Sequence, residues 1–105
     1  MGKKTEPISE SYFYILLCLA KGPLHGYGIM QRADALSDGA VRIGSGTMYG
    51  ATENLMKKGW IKEVEETGRK RMYQLTEAGR EALFKEVGRL QMMISAADRE
   101  LGTEE

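Results

Sequence analysis

The sequence predicts a mainly α-helical chain carrying one small β-hairpin, and three observations predict it. Residues 45–59 run from a capping hydroxyl through apolar positions at helical spacing to Lys57, Lys58 and a terminating Gly59. Directly behind them come two β-prone runs, 60–65 and 69–75, split by the turn candidate Thr67-Gly68. Residues 77–101 then repeat apolar side chains at gaps of four and three, the signature of a helix that pairs with another. A short polar-faced helix passing straight into a basic-tipped hairpin is the order of parts in a winged helix-turn-helix, here followed by a C-terminal dimerisation helix.

At 105 residues the size prior is one folded unit. We divide it into a winged-helix part over 1–76, whose residues 1–7 are a loose arm, and a C-terminal helix and tail over 77–105. No apolar run approaches the ~20 residues of a membrane span, and the start lacks a signal core, so a soluble cytoplasmic protein is expected. Cys18 is the single cysteine, which rules out an internal disulfide and a zinc cluster and reads as a buried thiol. The formal net charge is zero, but it is unevenly spread. Residues 42–75 hold seven basic and four acidic side chains, whereas residues 76–105 hold four and seven. The positive stretch coincides with the helix and hairpin, where a phosphate-facing surface would need it. Glu63, Glu65 and Glu66 offer the other reading, in which they neutralise Arg69, Lys70 and Arg71 across the strands.

In the arm, Lys3 and Lys4 are either phosphate contacts or part of a frayed terminus. A first helix is expected from Ser9 or Ser11 to Lys21, stopped by Gly22-Pro23. It is apolar nearly all round, so one face, with Tyr12 and Leu16, is expected to meet a second subunit. The second helix covers 29–36, with Ile29, Ala33 and Leu36 on one stripe. Gly26 and Gly28 in its first turn cost helix propensity and permit close backbone approach, to the first helix or to a phosphate. His25, the sole histidine, reads as a capping or structural residue.

On the third helix Met48, Ala51, Thr52, Leu55 and Met56 share one side, and Thr47, Gly50, Glu53, Asn54 and Lys57 the other, with Tyr49 between. Gly44-Ser45-Gly46-Thr47 lacks the Gly-Lys-Ser/Thr ending of a phosphate loop, so nucleotide binding is rejected and no cofactor is expected. Asn54 suits adenine in a major groove, and Thr47 suits a base or a phosphate. The expected DNA contacts are Arg42, Ser45, Thr47, Tyr49, Gly50, Asn54 and Lys57, with Arg69, Lys70 and Arg71 on the wing. A two-residue turn pairs Trp60 with Leu75 and Val64 with Arg71, turning Trp60, Val64, Tyr73 and Leu75 to the core.

Thr76 caps the last helix. Its seam is Leu83, Val87, Leu90, Ile94, Ala97 and Leu101, the expected dimer interface together with Tyr12 and Leu16. Phe84, Met92 and Met93 widen that face toward the partner's first helix; Met92 and Met93, with Phe13, alternatively line an adaptable effector pocket. No pairing of nucleophile and base appears, so an enzyme is not expected.

Several short motifs occur in order: Leu24-His25-Gly26-Tyr27, Thr47-Met48-Tyr49, Leu55 with Lys58-Gly59-Trp60-Ile61, and Gly68-Arg69-Lys70-Arg71-Met72-Tyr73-Gln74-Leu75-Thr76-Glu77-Ala78-Gly79-Arg80. Over about residues 8–90 these resemble the PadR family of bacterial transcriptional regulators. The resemblance implies a winged helix with a single C-terminal dimerisation helix. It also implies a homodimeric repressor of a palindromic operator, released in some members by small aromatic or hydrophobic compounds. Two departures stand out: Gly50 replaces the family's usual proline, and the C-terminal helix lacks the tryptophan that some multidrug-responsive relatives carry there. The alternative expectation is a winged-helix adaptor that binds another protein through its C-terminal helix.

Overall fold

The first helix, α1 (Glu10–Cys18), begins where Ser9 Oγ accepts the Tyr12 N–H at 3.2 Å, with Glu10 complementing the dipole in the first turn. It ends earlier than the expected Lys21, because Leu19 and Ala20 donate to the carbonyls three residues back and tighten the chain into a turn before Pro23. In this computed structural model, which describes residues 6–64 and 71–102, helix α2 (Gly26–Leu36) and helix α4 (Glu77–Leu101) both pack on α1. They bury Ile15, Leu16, Cys18 and Leu19. The chain therefore covers most of the helix that was expected to need a second subunit. Leu16, expected at the dimer interface, has no exposed surface.

Leu24 and His25 form a two-residue strand, β1, that sequence reading did not find because two residues show no alternation. It pairs antiparallel with β3 (Met72–Leu75), so the expected hairpin is a three-stranded sheet of order β1-β3-β2, with β2 spanning Ile61–Val64. His25 occupies the N-cap position of α2 by its backbone, and its side chain makes no capping hydrogen bond. Helix α2 thus starts at Gly26, with Gly26 and Gly28 in its first turn as expected. Of its expected apolar stripe, Ile29 and Ala33 are buried, but Leu36 is 41% exposed because the helix ends there. Asp38 N–H donates to Ala35 O and Gly39 N–H to Asp34 O, a pair of bonds that closes the helix with Asp38 at φ 59°.

Helix α3 (Ser45–Lys57) buries Met48, Ala51, Thr52 and Leu55, the side expected from the wheel. Its cap differs. Gly44 is the N-cap and Ser45 the first helical residue, so the expected serine cap is absent. At the other end Gly59, at φ +78°, lets its own N–H reach Met56 O at 2.9 Å while the Trp60 N–H reaches Leu55 O at 3.0 Å. That closure sets the strand register. Trp60 is spent on the helix end, Ile61 pairs with Leu75, and Val64 pairs with Met72, one residue out from the expected Trp60–Leu75 and Val64–Arg71 pairs. Because side chains alternate, the slip exchanges faces. Ile61 is buried with Tyr73 and Leu75, while Trp60 is half-buried at the core's edge with the Lys58 ammonium 5.1 Å from its ring centre. The expected turn Thr67-Gly68, with Glu65, Glu66, Arg69 and Lys70, lies outside the described residues, as do Lys3 and Lys4.

Thr76 joins wing to helix. Its N–H donates to Trp60 O at 3.0 Å, its hydroxyl donates to Gly59 O at 2.6 Å, and its Oγ accepts the Gly79 N–H at 3.0 Å as the cap of α4. The helix then runs 25 residues and ends on Gly102 in the left-handed conformation. Along its seam Leu83 is buried, Val87 and Leu90 are half-buried, and Ile94, Ala97 and Leu101 are exposed. The inner half of α4 belongs to this chain's core margin; the outer half does not.

Candidate nucleic-acid interface

With one side of α3 buried, the opposite side is open: Thr47, Tyr49, Gly50, Asn54 and Lys57 are exposed, Tyr49 by 65%. At the start of α3 the first intrahelical bond is Met48 N–H to Gly44 O at 2.8 Å. The N–H groups of Ser45, Gly46 and Thr47 precede it and lie at the positive end of the helix dipole. Gly44, Ser45 and Gly46 are exposed, so this end is accessible to a phosphate.

Arg42, just upstream, places Nε 3.5 Å from Asp34 Oδ2, with 77% of its side chain exposed. On the wing, Arg71 Nε lies 3.4 Å from Glu63 Oε2, with the two side chains 57% and 42% exposed. Its guanidinium is held above the usual arginine range, first by a hydrogen bond with Tyr73 and then by Glu63. The charge pairing expected across the wing therefore exists at Arg71. Such exposed pairs are weak and exchange readily for another anion. Arg69 and Lys70 lie outside the described residues.

Asn54 is not free on its face. Its Nδ2 donates to Tyr12 Oη at 2.8 Å, a bond across 42 residues of sequence that joins α3 to α1. Tyr12, expected at a subunit interface, thus has its hydroxyl on α3.

Tyr27 escaped the sequence reading. It is 70% exposed in the first turn of α2 and borders two adjoining hollows: one reaches His25, Gln31 and Arg71, the other Ser45, Met48 and Tyr49. It therefore stands between the α3 N-terminus and the base of the wing. The available signal was an aromatic residue off the apolar stripe of α2 with a glycine on each side.

The residues expected in an effector pocket are not enclosed by this chain. Phe13 is half-buried and meets Tyr14 edge to face at 5.8 Å, whereas Met92 and Met93 lie on the open outer half of α4. Arg89 Nη1 lies 3.2 Å from Met93 Sδ. The Cys18 thiol donates to Ile29 O at 3.6 Å, and burial pushes its pKa up to about 11, so it is a structural thiol.

Sequence reasoning also missed Glu86, which is 1% exposed. Both its oxygens accept from Arg89, at 2.9 and 2.7 Å, and Oε2 also accepts the Ile8 N–H at 3.2 Å. The Arg89 hydrogen bonds hold its carboxyl below the usual carboxylate range against the opposing effect of burial. It ties the segment ahead of α1 to α4. On the heptad wheel it reads as a solvated glutamate, which is why its pattern gave no signal.

Helix α2, a tight connection and helix α3 with an open polar face, set beside a small antiparallel sheet, form a winged helix-turn-helix, a fold of the nucleic-acid-binding class. Residues 15–85 match the model of the transcriptional regulator PadR-like family, and the chain belongs to that family. It is 41% identical over 78 residues to an uncharacterized 37.1 kDa protein in transposon TN4556 of Streptomyces fradiae, covering 74% of this chain and 22% of that protein. The chain thus spans about a fifth of that relative's length. A PadR family transcription regulator of Clostridium difficile R20291 shares the fold with a TM-score of 0.74, at 22% identity over 89% of this chain and 99% of that one. Bacillus subtilis PadR in complex with operator DNA superposes with a TM-score of 0.64 and 26% identity, over 76% of this chain and 47% of that one.

Proposed function

We propose that this chain is a sequence-specific DNA-binding regulator, acting as a repressor on a palindromic operator in the cytoplasm. The observation that carries the proposal is the open polar face of α3, with Arg42 just upstream of its exposed N-terminal turn and Arg71 across the hollows that Tyr27 borders. A likeness to a PadR bound to operator DNA supports the same reading. In it, residues 1–76 read DNA and residues 77–105 hold two copies together. Each α3 enters a major groove with Thr47, Tyr49, Gly50, Asn54 and Lys57. Arg42, Ser45 and the wing cations Arg69, Lys70 and Arg71 contact phosphates. Two-fold symmetry spaces the half-sites by about one helical turn, ~34 Å.

The dimer is held by the outer seam of α4, Val87, Leu90, Ile94, Ala97 and Leu101; of the other residues expected there, Leu83 is buried in this chain's own core and Tyr12 is bonded to Asn54. Exposure of Ile94 by 60% and Leu101 by 74% supports this assignment. A small hydrophobic effector would be held by Met92 and Met93 on the outer half of α4, with Phe13 brought to them by a second copy.

A gel shift on the promoter of the chain's own operon is the test. Binding at low salt that Tyr49→Ala and Arg71→Ala each weaken is expected, with Arg71→Ala alone flattening the salt dependence. Absence of a shift on every palindromic candidate overturns the proposal, and equal salt slopes for wild type and Arg71→Ala overturn the phosphate role. Capture of the wild-type protein by a protein partner through α4 without any DNA binding would favour the adaptor alternative.

A further inference from the structure

Exposed asparagines ordinarily sample several rotamers, and ordering one on a base costs affinity. Asn54 is already held. We propose that Tyr12 is the positioning residue for Asn54: its hydroxyl takes one amide N–H and turns the carbonyl oxygen and the second N–H outward as the pair that reads an adenine. This rests on the DNA-binding reading above and names the base class read at that position.

The chemistry follows from counting. An asparagine amide has one carbonyl oxygen and two N–H donors. Nδ2 spends one donor on Tyr12 Oη at 2.8 Å. The remaining oxygen and N–H are what adenine N6 and N7 require.

Tyr12 can serve because its own place is determined. Its N–H donates to Ser9 Oγ at 3.2 Å. One residue before Ser9, the Ile8 N–H donates to Glu86 Oε2 at 3.2 Å, and Glu86 is gripped at both oxygens by Arg89. The phenol is therefore carried by a helix start fastened to α4, so Asn54 is referenced to the proposed dimerisation helix as well as to α3. A side chain supported in this way loses less freedom on binding than a free one.

The experiment selects duplexes from a randomised pool with the full-length wild-type protein. It then compares wild type, Tyr12→Phe, Asn54→Ala and the double variant on the selected duplex and on a copy with the adenine replaced. We expect Tyr12→Phe to melt with the wild type but to bind the selected duplex about fivefold more weakly, one hydrogen bond's worth. On the replaced duplex it should bind as the wild type does. Asn54→Ala should lose the preference for adenine, and the double variant should bind no more weakly than Asn54→Ala. Equal weakening of Tyr12→Phe on both duplexes, or additive losses in the double variant, would mark the hydrogen bond as a structural staple and overturn the inference. A selective wild type whose preference survives Asn54→Ala overturns this inference alone. A wild type that prefers no duplex overturns the reading beneath it as well.

Discussion

Glu86 is a buried carboxylate whose two oxygens are shared between Arg89 and the Ile8 N–H. Glutamine keeps one acceptor oxygen but sets an amide N–H2 against a donor where the other oxygen stood and removes the charge facing the guanidinium, so Glu86→Gln is expected to lower stability by about 2 kcal/mol in urea unfolding. The pH dependence has a definite sign. Arg89 lowers the folded carboxyl below the ordinary value of 4.5, so the stabilisation is present above that value and lost as pH falls through the folded one. Acid titration of stability should therefore be steeper in the wild type than in Glu86→Gln. At the surface, Glu63 sits 3.4 Å from Arg71, and if Arg71 contacts phosphate as proposed, the glutamate competes for it. Glu63→Gln should tighten DNA binding at low salt and steepen the plot of log affinity against log salt by up to about 0.9, one phosphate contact. An unchanged slope would place Arg71 away from the DNA backbone.

At the scale of elements, the junction of wing and α4 depends on a glycine for close approach. A Cβ on Gly79 would collide with the Trp60 carbonyl oxygen and come within 2.9 Å of Leu75 Cδ1. That carbonyl cannot retreat, because it accepts the Thr76 N–H. Gly79→Ala is expected to cost about 3 kcal/mol by overpacking. Gly88, in the same helix with nothing within 4 Å of a built Cβ, is the control: Gly88→Ala should stabilise by about 0.5–1 kcal/mol through helix propensity. Thermal unfolding of the two variants in opposite directions would confirm that the approach at Gly79 holds wing and helix together. Six of the seven elements were legible from caps, turns and periodicity. The two that changed most did so for stated reasons. Strand β1 is too short to show a period, and β2 slips by one residue because the closure at Gly59 absorbs Trp60.

For the whole molecule, α4 divides between two duties. Its inner half, through Leu83 and Glu86, packs on α1 and the segment before it, and its outer half presents Ile94 and Leu101 to solvent. Ile94→Glu should therefore leave the monomer fold within about 0.5 kcal/mol. By sedimentation it should convert the proposed dimer to monomer, with loss of operator affinity because both half-sites must be held at once. A dimer that survives Ile94→Glu would move the interface off the seam.

The sequence by itself determined the helices, the buried side of α3, the Thr76 cap of α4 and the family, because these follow from local spacing and short motifs read in order. The candidate DNA contacts on α3 were legible in the same way, since the wheel that buries Met48 and Leu55 leaves Asn54 outside. Tertiary structure alone decided who touches whom. The Tyr12–Asn54 bond, the Glu86 clamp on Ile8, the exposure of Tyr27 beside the wing and the burial of Leu16 within one chain join residues far apart in sequence. Periodicity specifies which face of a helix is apolar, but not which neighbour meets that face. That choice belongs to the packing of the whole chain.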